Sequence, residues 1–250
     1  MEDDQKKVWA KRAKRYNNLE WVNKEDIVGT FIDLCDLESS DIVLDVGCGT
    51  GKIICSICDM VKEGHGMDIS EEMLSFIDKD KYKNLFLKIG DITNTDYKDN
   101  TFDKITARLI FHHLVNEENL KKAIMECYRI LKPNGRIIIS EGVPPHKDLK
   151  EDYTRIFELK EKRIVFLPED FERILKEGGF RGIEIHEVID RGMSIRNWLD
   201  NDGTLSEETK KQIFDLHRDS SDLFKEAYNL KEVNDDILID VKVIIAIGLK

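Results

Sequence analysis

Residues 41–51, DIVLDVGCGTG, decide how this chain is read. Ile42, Val43, Leu44 and Val46 form a short apolar run, the pattern of a strand covered on both faces. Glycines follow at 47, 49 and 51, and from Lys52 onward Ile53, Ile54 and Ile57 fall at roughly helical spacing. Strand, glycine turn and helix make the first unit of a nucleotide-binding α/β fold, whose ligand lies beyond the carboxyl ends of the strands. Gly47, Gly49 and Gly51 open backbone angles closed to other residues and let a ligand approach the main chain. The N–H groups at the start of the following helix are expected to face that ligand. The dinucleotide spacing G-x-G-x-x-G needs glycine at 52, where Lys52 stands, and no G-K-S or G-K-T follows for a P-loop. Asp45, two residues before the first glycine, suits a ligand bearing an amine and a carboxylate rather than a polyphosphate.

VLDVGCGTG resembles motif I of the class I S-adenosylmethionine-dependent methyltransferases. The resemblance covers roughly residues 40–180 and the terminal strand, and the His112-His113 pair after strand four is similar to the ubiquinone- and menaquinone-type branch. It implies that Asp45, Gly47, Cys48, Gly49 and Gly51 hold the methionine end of S-adenosylmethionine. The next acidic position is consistent with this. EGHGMDIS, residues 63–70, reads as a second strand ending at Asp68 with Ile69 after it, and a carboxylate there can accept from both ribose hydroxyls. Ser70 is a good N-cap for the helix that follows. A third strand over 84–89 leads to Gly90-Asp91-Ile92. In the family it resembles, the acid there bonds the adenine amino group and the apolar residue packs on the ring, roles that fall to Asp91 and Ile92.

The fourth strand, KITARLI, runs into Arg108-Leu109-Ile110-Phe111-His112-His113. In this fold strand four faces the transferring methyl group. The Asn/Asp-Pro-Pro-Tyr motif of nucleic-acid amino-methyltransferases is not present here. Arg108 with His112 four residues on offers another chemistry: histidine takes a proton from a phenol or enol near neutral pH, and arginine stabilises the resulting anion. Arg-x-x-x-His resembles phenol-ring C-methyltransferases, with His112 and Arg108 as the catalytic candidates and Arg108 also a cofactor contact. His113 is the alternative base, and a plain helix-capping role for one histidine stays open.

Composition narrows the partners. The net charge of −11 over 250 residues repels nucleic acid at long range, so no nucleic-acid partner is expected. The apolar runs are too short to cross a bilayer and the N-terminal MEDDQKKVWAKRAK is charged, so the expectation is a cytoplasmic protein with no membrane partner. Cys55 and Cys58 form C-x-x-C without a second pair, so no metal is expected.

The expected fold is α/β: a doubly wound, Rossmann-like, seven-stranded and mostly parallel sheet with an antiparallel last strand, plus N-terminal helices and helical lid insertions. The divisions are a cap over 1–40, a core over 41–191, a lid over 192–232 and the final strand over 233–250. Helices are expected within 5–22, ending near Asn17-Asn18, and over 24–37, 206–216 and 221–230. Tyr16 of the first helix is a contact to cofactor or substrate, and Arg196, Trp198, His217 and Arg218 are candidates for the substrate pocket. The function implied is methyl transfer to a small-molecule acceptor, a phenolic, quinol or enol carbon or oxygen, by a monomer or homodimer. A base supplied by the lid, a protein acceptor, and a cofactor-binding protein without turnover are the alternatives.

Overall fold

A computed structural model describes residues 2–250. Eight strands form one sheet: β1 (Ile42–Val46), β2 (Glu63–Asp68), β3 (Leu85–Ile89), β4 (Phe102–Arg108), β5 (Leu131–Val143), β6 (Arg181–Ser194), β7 (Lys231–Val233) and β8 (Asp236–Leu249). Their order is β3-β2-β1-β4-β5-β8-β6, with the short β7 on the outer part of β8. The first five strands are parallel, and β8 runs antiparallel between β5 and β6. The seven expected strands are present, and β7 is an eighth that the sequence reading missed. Its three residues, Lys-Glu-Val, are all exposed and carry no apolar alternation.

The apolar runs explain the layering. Val43, Leu44 and Val46 are essentially fully buried because helices cover both faces of the parallel strands. On one face the helices Glu117–Ile130 and Pro168–Glu177 pack Ile124, Cys127 and Leu175 against Leu44, Ile105 and Ile139. On the other, Glu25–Leu34 and Lys52–Ile57 pack Phe31 and Ile54 against Val43 and Ile138. Asn116 caps the longer helix by accepting from the Asn119 N–H. Cys58 is buried and Cys55 half-buried within the second cluster.

A third cluster sits at the carboxyl end of the sheet. The helices Ile195–Asp200, Glu207–Arg218 and Asp222–Ala227 bring Trp198, Ile213 and Phe224 onto Leu19, Tyr153 and Ile156. Segments far apart in sequence therefore share one apolar roof over the strand ends.

Five elements differ in their bounds. The first helix, Glu2–Tyr16, starts earlier than residue 5 but ends as expected just before Asn17-Asn18; a separate turn Glu20–Asn23 follows, and the next helix is Glu25–Leu34 rather than 24–37. β4 begins at Phe102 and stops at Arg108, because Leu109 takes a left-handed φ of 58° that leaves the pleat. β5 starts at Leu131, although Lys132-Pro133-Asn134-Gly135 reads as a turn signal in the sequence, and Asn134 takes a left-handed φ of 64° within it. β6 continues to Ser194, which shortens the insertion at its start.

Phe102 is fully buried and packs edge-on against Tyr97 and His65. Phe102→Ala is expected to lower the unfolding free energy by about 3–5 kcal/mol, read as a fall in the urea midpoint at constant slope.

Candidate active site

Two cavities meet at the carboxyl end of the sheet. The smaller, of about 140 Å³, lies between the glycine turn and the ends of β2, β3 and β4. Gly47, Gly49, Asp68, Ile69, Asp91, Ile92, Arg108 and Tyr16 all line it, eight of the eleven positions expected to bind cofactor. Asp45, Cys48 and Gly51 do not. Asp45 is buried behind the turn and accepts from the Thr106 hydroxyl at 2.8 Å. Burial pushes its carboxyl up to about 7, against the pull of that hydrogen bond. The Cys48 thiol is buried within the second cluster, and Gly51, at φ 88°, packs towards Cys55 and Ile77. These three shape the turn from behind.

The turn works by geometry more than by donating hydrogen bonds. Gly49 N–H is given to Asp68 Oδ2 at 2.9 Å, Cys48 N–H to Met67 O, and Gly51 N–H to Cys48 O. At those three positions the turn consumes its own amides internally. What the glycines supply is room. A Cβ on Gly47, at φ 63°, would lie 2.2 Å from Ile110 Cδ1. A Cβ on Gly49 would enter space bounded only by Tyr16 Cε1 at 3.8 Å.

Asp68 ties the strands to this turn. Its second oxygen accepts the Ser70 N–H at 2.9 Å, and Ser70 in turn caps the helix Glu71–Leu74. Each carboxylate oxygen keeps a lone pair for a diol, which fits a ribose. Asp91 Oδ1 is held by Thr93 N–H and hydroxyl, and Ile92 is buried beside it. An acid-ended second strand, an acid and an apolar residue after the third, and an uncluttered glycine turn fit a nucleoside with a short polar tail.

The larger cavity, of about 160 Å³, lies under the roof and has aromatic walls that include Trp9, Trp21, Tyr153, Phe157 and Trp198. Trp9, Tyr16, Arg108, Leu109 and His113 line both cavities and so mark their junction. Arg108 is half-buried there, donating to Trp21 O at 3.0 Å with its guanidinium 5.7 Å from the Trp21 ring centroid. Thr50 donates to Asn17 Oδ1, which fastens the first helix's end to the glycine turn.

His112 and His113 occupy a 3-10 turn, Phe111–Leu114, bracketed by two left-handed residues, Leu109 at φ 58° and Val115 at φ 54°. Neither residue type favours that region, so the surroundings hold the turn in place. His112 lines the larger cavity and turns Nδ1 to Glu141 Oε2 at 2.6 Å. Glu141 also accepts the His112 backbone N–H and is wholly buried. Burial, then the Arg163 charge, pushes His112 well below the usual imidazole range, while burial pushes Glu141 up to about 7. His113 stands edge-on to Trp9 at 4.8 Å and is pushed well down by burial and by His112. Glu141 was missed, although a lone acid in the run RIIISEGV was a visible signal.

A buried charge network completes the larger cavity. Arg12 of the first helix bridges Glu161 at 2.6 Å and Asp202 at 2.8 Å, and Lys160 reaches Asp202 at 2.6 Å. His112, His113 and Glu161 bring ligand atoms within 4.8 Å of one another, a grouping the sequence reading did not foresee. Arg12, Lys160 and Arg163 all crowd Glu161, so a divalent ion there would face three cations. Of the four expected lid contacts, Trp198 and His217 line the cavity. Arg196 instead bonds Asp235 O over the Phe214 ring, and Arg218 pairs with Asp215 and Asp219 at the surface.

A doubly wound sheet with a glycine turn and an acid-ended second strand facing one crevice defines a nucleotide-binding α/β protein. Residues 44–139 match the methyltransferase domain family. The uncharacterized methyltransferase YcgJ of Bacillus subtilis is 26% identical over 149 residues, 58% of each chain. Its crystal structure superposes with a TM-score of 0.76 at 22% identity, covering 89% of this chain and 97% of that one. A demethylmenaquinone methyltransferase of Symbiobacterium thermophilum is 32% identical over 123 residues, 46% of this chain and 48% of its own length. Phosphoethanolamine N-methyltransferase 2 of Haemonchus contortus, solved with S-adenosylhomocysteine, shares the fold at a TM-score of 0.64 and 19% identity, covering 90% of this chain and 52% of that one. The matched stretches span about half of the length of the curated relatives. Residues 44–139 thus carry a methyltransferase domain, and the chain shares the Rossmann-like fold of the solved methyltransferases.

Gly47→Ala is expected to weaken S-adenosylhomocysteine binding by at least about tenfold, since tenfold needs only about 1.4 kcal/mol and the added methyl forces Ile110 aside. Calorimetric titration of the folded variant checks this.

Proposed function

We propose that this protein transfers the methyl group of S-adenosylmethionine to a small molecule, at an acidic oxygen or at the carbon of a phenol, quinol or enol. The observation that carries the reading is the pair of joined cavities, one built for a nucleoside and one walled by aromatic rings, with His112 and its Glu141 partner on the aromatic side. Bound S-adenosylmethionine supplies a methyl group on a sulfonium sulfur. Asp68 would hold its ribose, Asp91 and Ile92 its adenine, and the turn at Gly47 and Gly49 its methionine end. Tyr16 and Arg108, at the junction, border the path from one cavity to the other. Residues 1–40 act as a cap and 192–232 as a lid, enclosing the acceptor so that position supplies much of the rate.

The proton goes to His112. When Glu141 is ionised it accepts from Nδ1–H, which leaves Nε2 as the unprotonated nitrogen for an acceptor hydroxyl. When Glu141 is protonated it donates to Nδ1, the remaining proton sits on Nε2, and the base is lost. Activity therefore requires the ionised carboxylate and rises with pH through about 7, where Glu141 loses its proton. Arg108 borders the position where the anion forms and is barred from neutralising it by proton loss, since guanidinium stays charged.

The test is turnover to S-adenosylhomocysteine against a panel of phenols, quinols and enols. His112→Ala is expected to lower kcat by about 10²–10⁴-fold with cofactor binding intact. Glu141→Gln is expected to abolish the rise with pH near 7, because an amide does not titrate there. A His112→Ala enzyme with unchanged kcat would move the base to His113 or to the lid.

A further inference from the structure

Under the aromatic roof, one charged side chain is left without a hydrogen-bonded partner. Arg12 and Lys160 stand against Glu161 and Asp202, two cations to two carboxylates in a closed quartet. Burial pushes the Glu161 carboxyl up, but the Lys160 and Arg12 cations outweigh it and hold the group well below its usual range, so it stays ionised. His112 and His113 are held neutral, as their depressed values require.

Arg163 is a fifth charge, and it has no partner of its own. Its side chain is only 7% exposed, and its one ion-pair contact is to Glu161 Oε1 at 3.8 Å, beyond hydrogen-bond reach. Nε is buried with no hydrogen-bond partner, and among the described residues the guanidinium donates no hydrogen bond. It lies over the Phe157 ring at 4.1 Å and beside Tyr153 at 5.7 Å, on the wall of the larger cavity. Glu141, the other acid close to it, has both oxygens committed to His112, so its charge is shared and it gives the guanidinium no hydrogen bond. A buried guanidinium, rich in fixed donors and left over after its neighbours have paired, is costly unless an anion arrives to meet it.

We propose that Arg163 is the counter-ion for an acid group, a carboxylate or a phosphate, carried by the methyl acceptor. The acceptor is then an aromatic or enolic acid: its ring lies against the aromatic walls, its acid group meets Arg163, and its reacting atom faces the junction. This rests on the methyltransferase reading of the larger cavity.

All three tryptophans of the chain, Trp9, Trp21 and Trp198, line that cavity, so intrinsic fluorescence reports its occupancy. Protein saturated with S-adenosylhomocysteine, its binding first verified by calorimetry, would be titrated with benzoate, phenyl phosphate and neutral benzamide. At least one anion is expected to bind about tenfold or more tightly than benzamide, a difference of about 1.4 kcal/mol. Which anion wins distinguishes carboxylate from phosphate. Arg163→Met is expected to erase the preference while leaving S-adenosylhomocysteine affinity unchanged, and Arg163→Lys to retain part of it. Equal binding of all three probes, or a preference that survives Arg163→Met, would overturn the proposal. Failure of S-adenosylhomocysteine to bind at all would instead overturn the methyltransferase reading.

Discussion

The parallel pairing of β4 with β5 fixes where the chemistry can occur. Arg108 lies opposite Ser140 in that register, so the two strands end side by side. Leu109 then leaves the sheet with its N–H on Ser140 O at 2.8 Å, and the chain turns back over the strand ends. That turn brings the His112 ring and its backbone N–H to the Glu141 carboxylate one residue further along β5. A slip of one residue would send Glu141 to the opposite face and leave both groups unpaired in the core. The two left-handed residues on either side of the turn are the local strain that the sheet imposes in return.

Around this pair, burial governs the electrostatics. The histidines, Glu141 and Asp45 are all driven towards their neutral forms because charge is poorly solvated there. The exceptions are the carboxylates Glu161 and Asp202, kept charged by Arg12 and Lys160. Those contacts join the first helix, the segment after the helix Lys150–Glu158 and the loop after Ile195–Asp200. The same ion pairs that shape the cavity thus hold its cap and lid together, and opening it would expose a network whose partners come from three distant parts of the chain.

Much of the sheet was legible in the sequence because its signals are local. An apolar run, a glycine turn, an acid at a strand end and an N-capping serine each depend on a few adjacent residues, and they place Gly47, Gly49, Asp68, Asp91 and Ile92 in one crevice. Asp45 and Cys48 share that motif, yet their side chains are buried, Asp45 against the Thr106 hydroxyl of β4 and Cys48 in the second apolar cluster. The His112 partner was not legible: Glu141 lies 29 positions away and meets it only through strand register. Arg163 and Arg12 read as ordinary charges on helical or loop segments, and nothing local marks them as buried. The short β7 exists only by pairing with β8 and has no pattern of its own.

Calorimetric titration of the purified protein with S-adenosylmethionine and S-adenosylhomocysteine, with a nicotinamide dinucleotide as control, tests the account most directly. It predicts saturable one-to-one binding of both sulfur nucleosides and no heat from the dinucleotide. Binding of the dinucleotide with no response to either sulfur nucleoside would contradict the reading of the glycine turn on which the site is built.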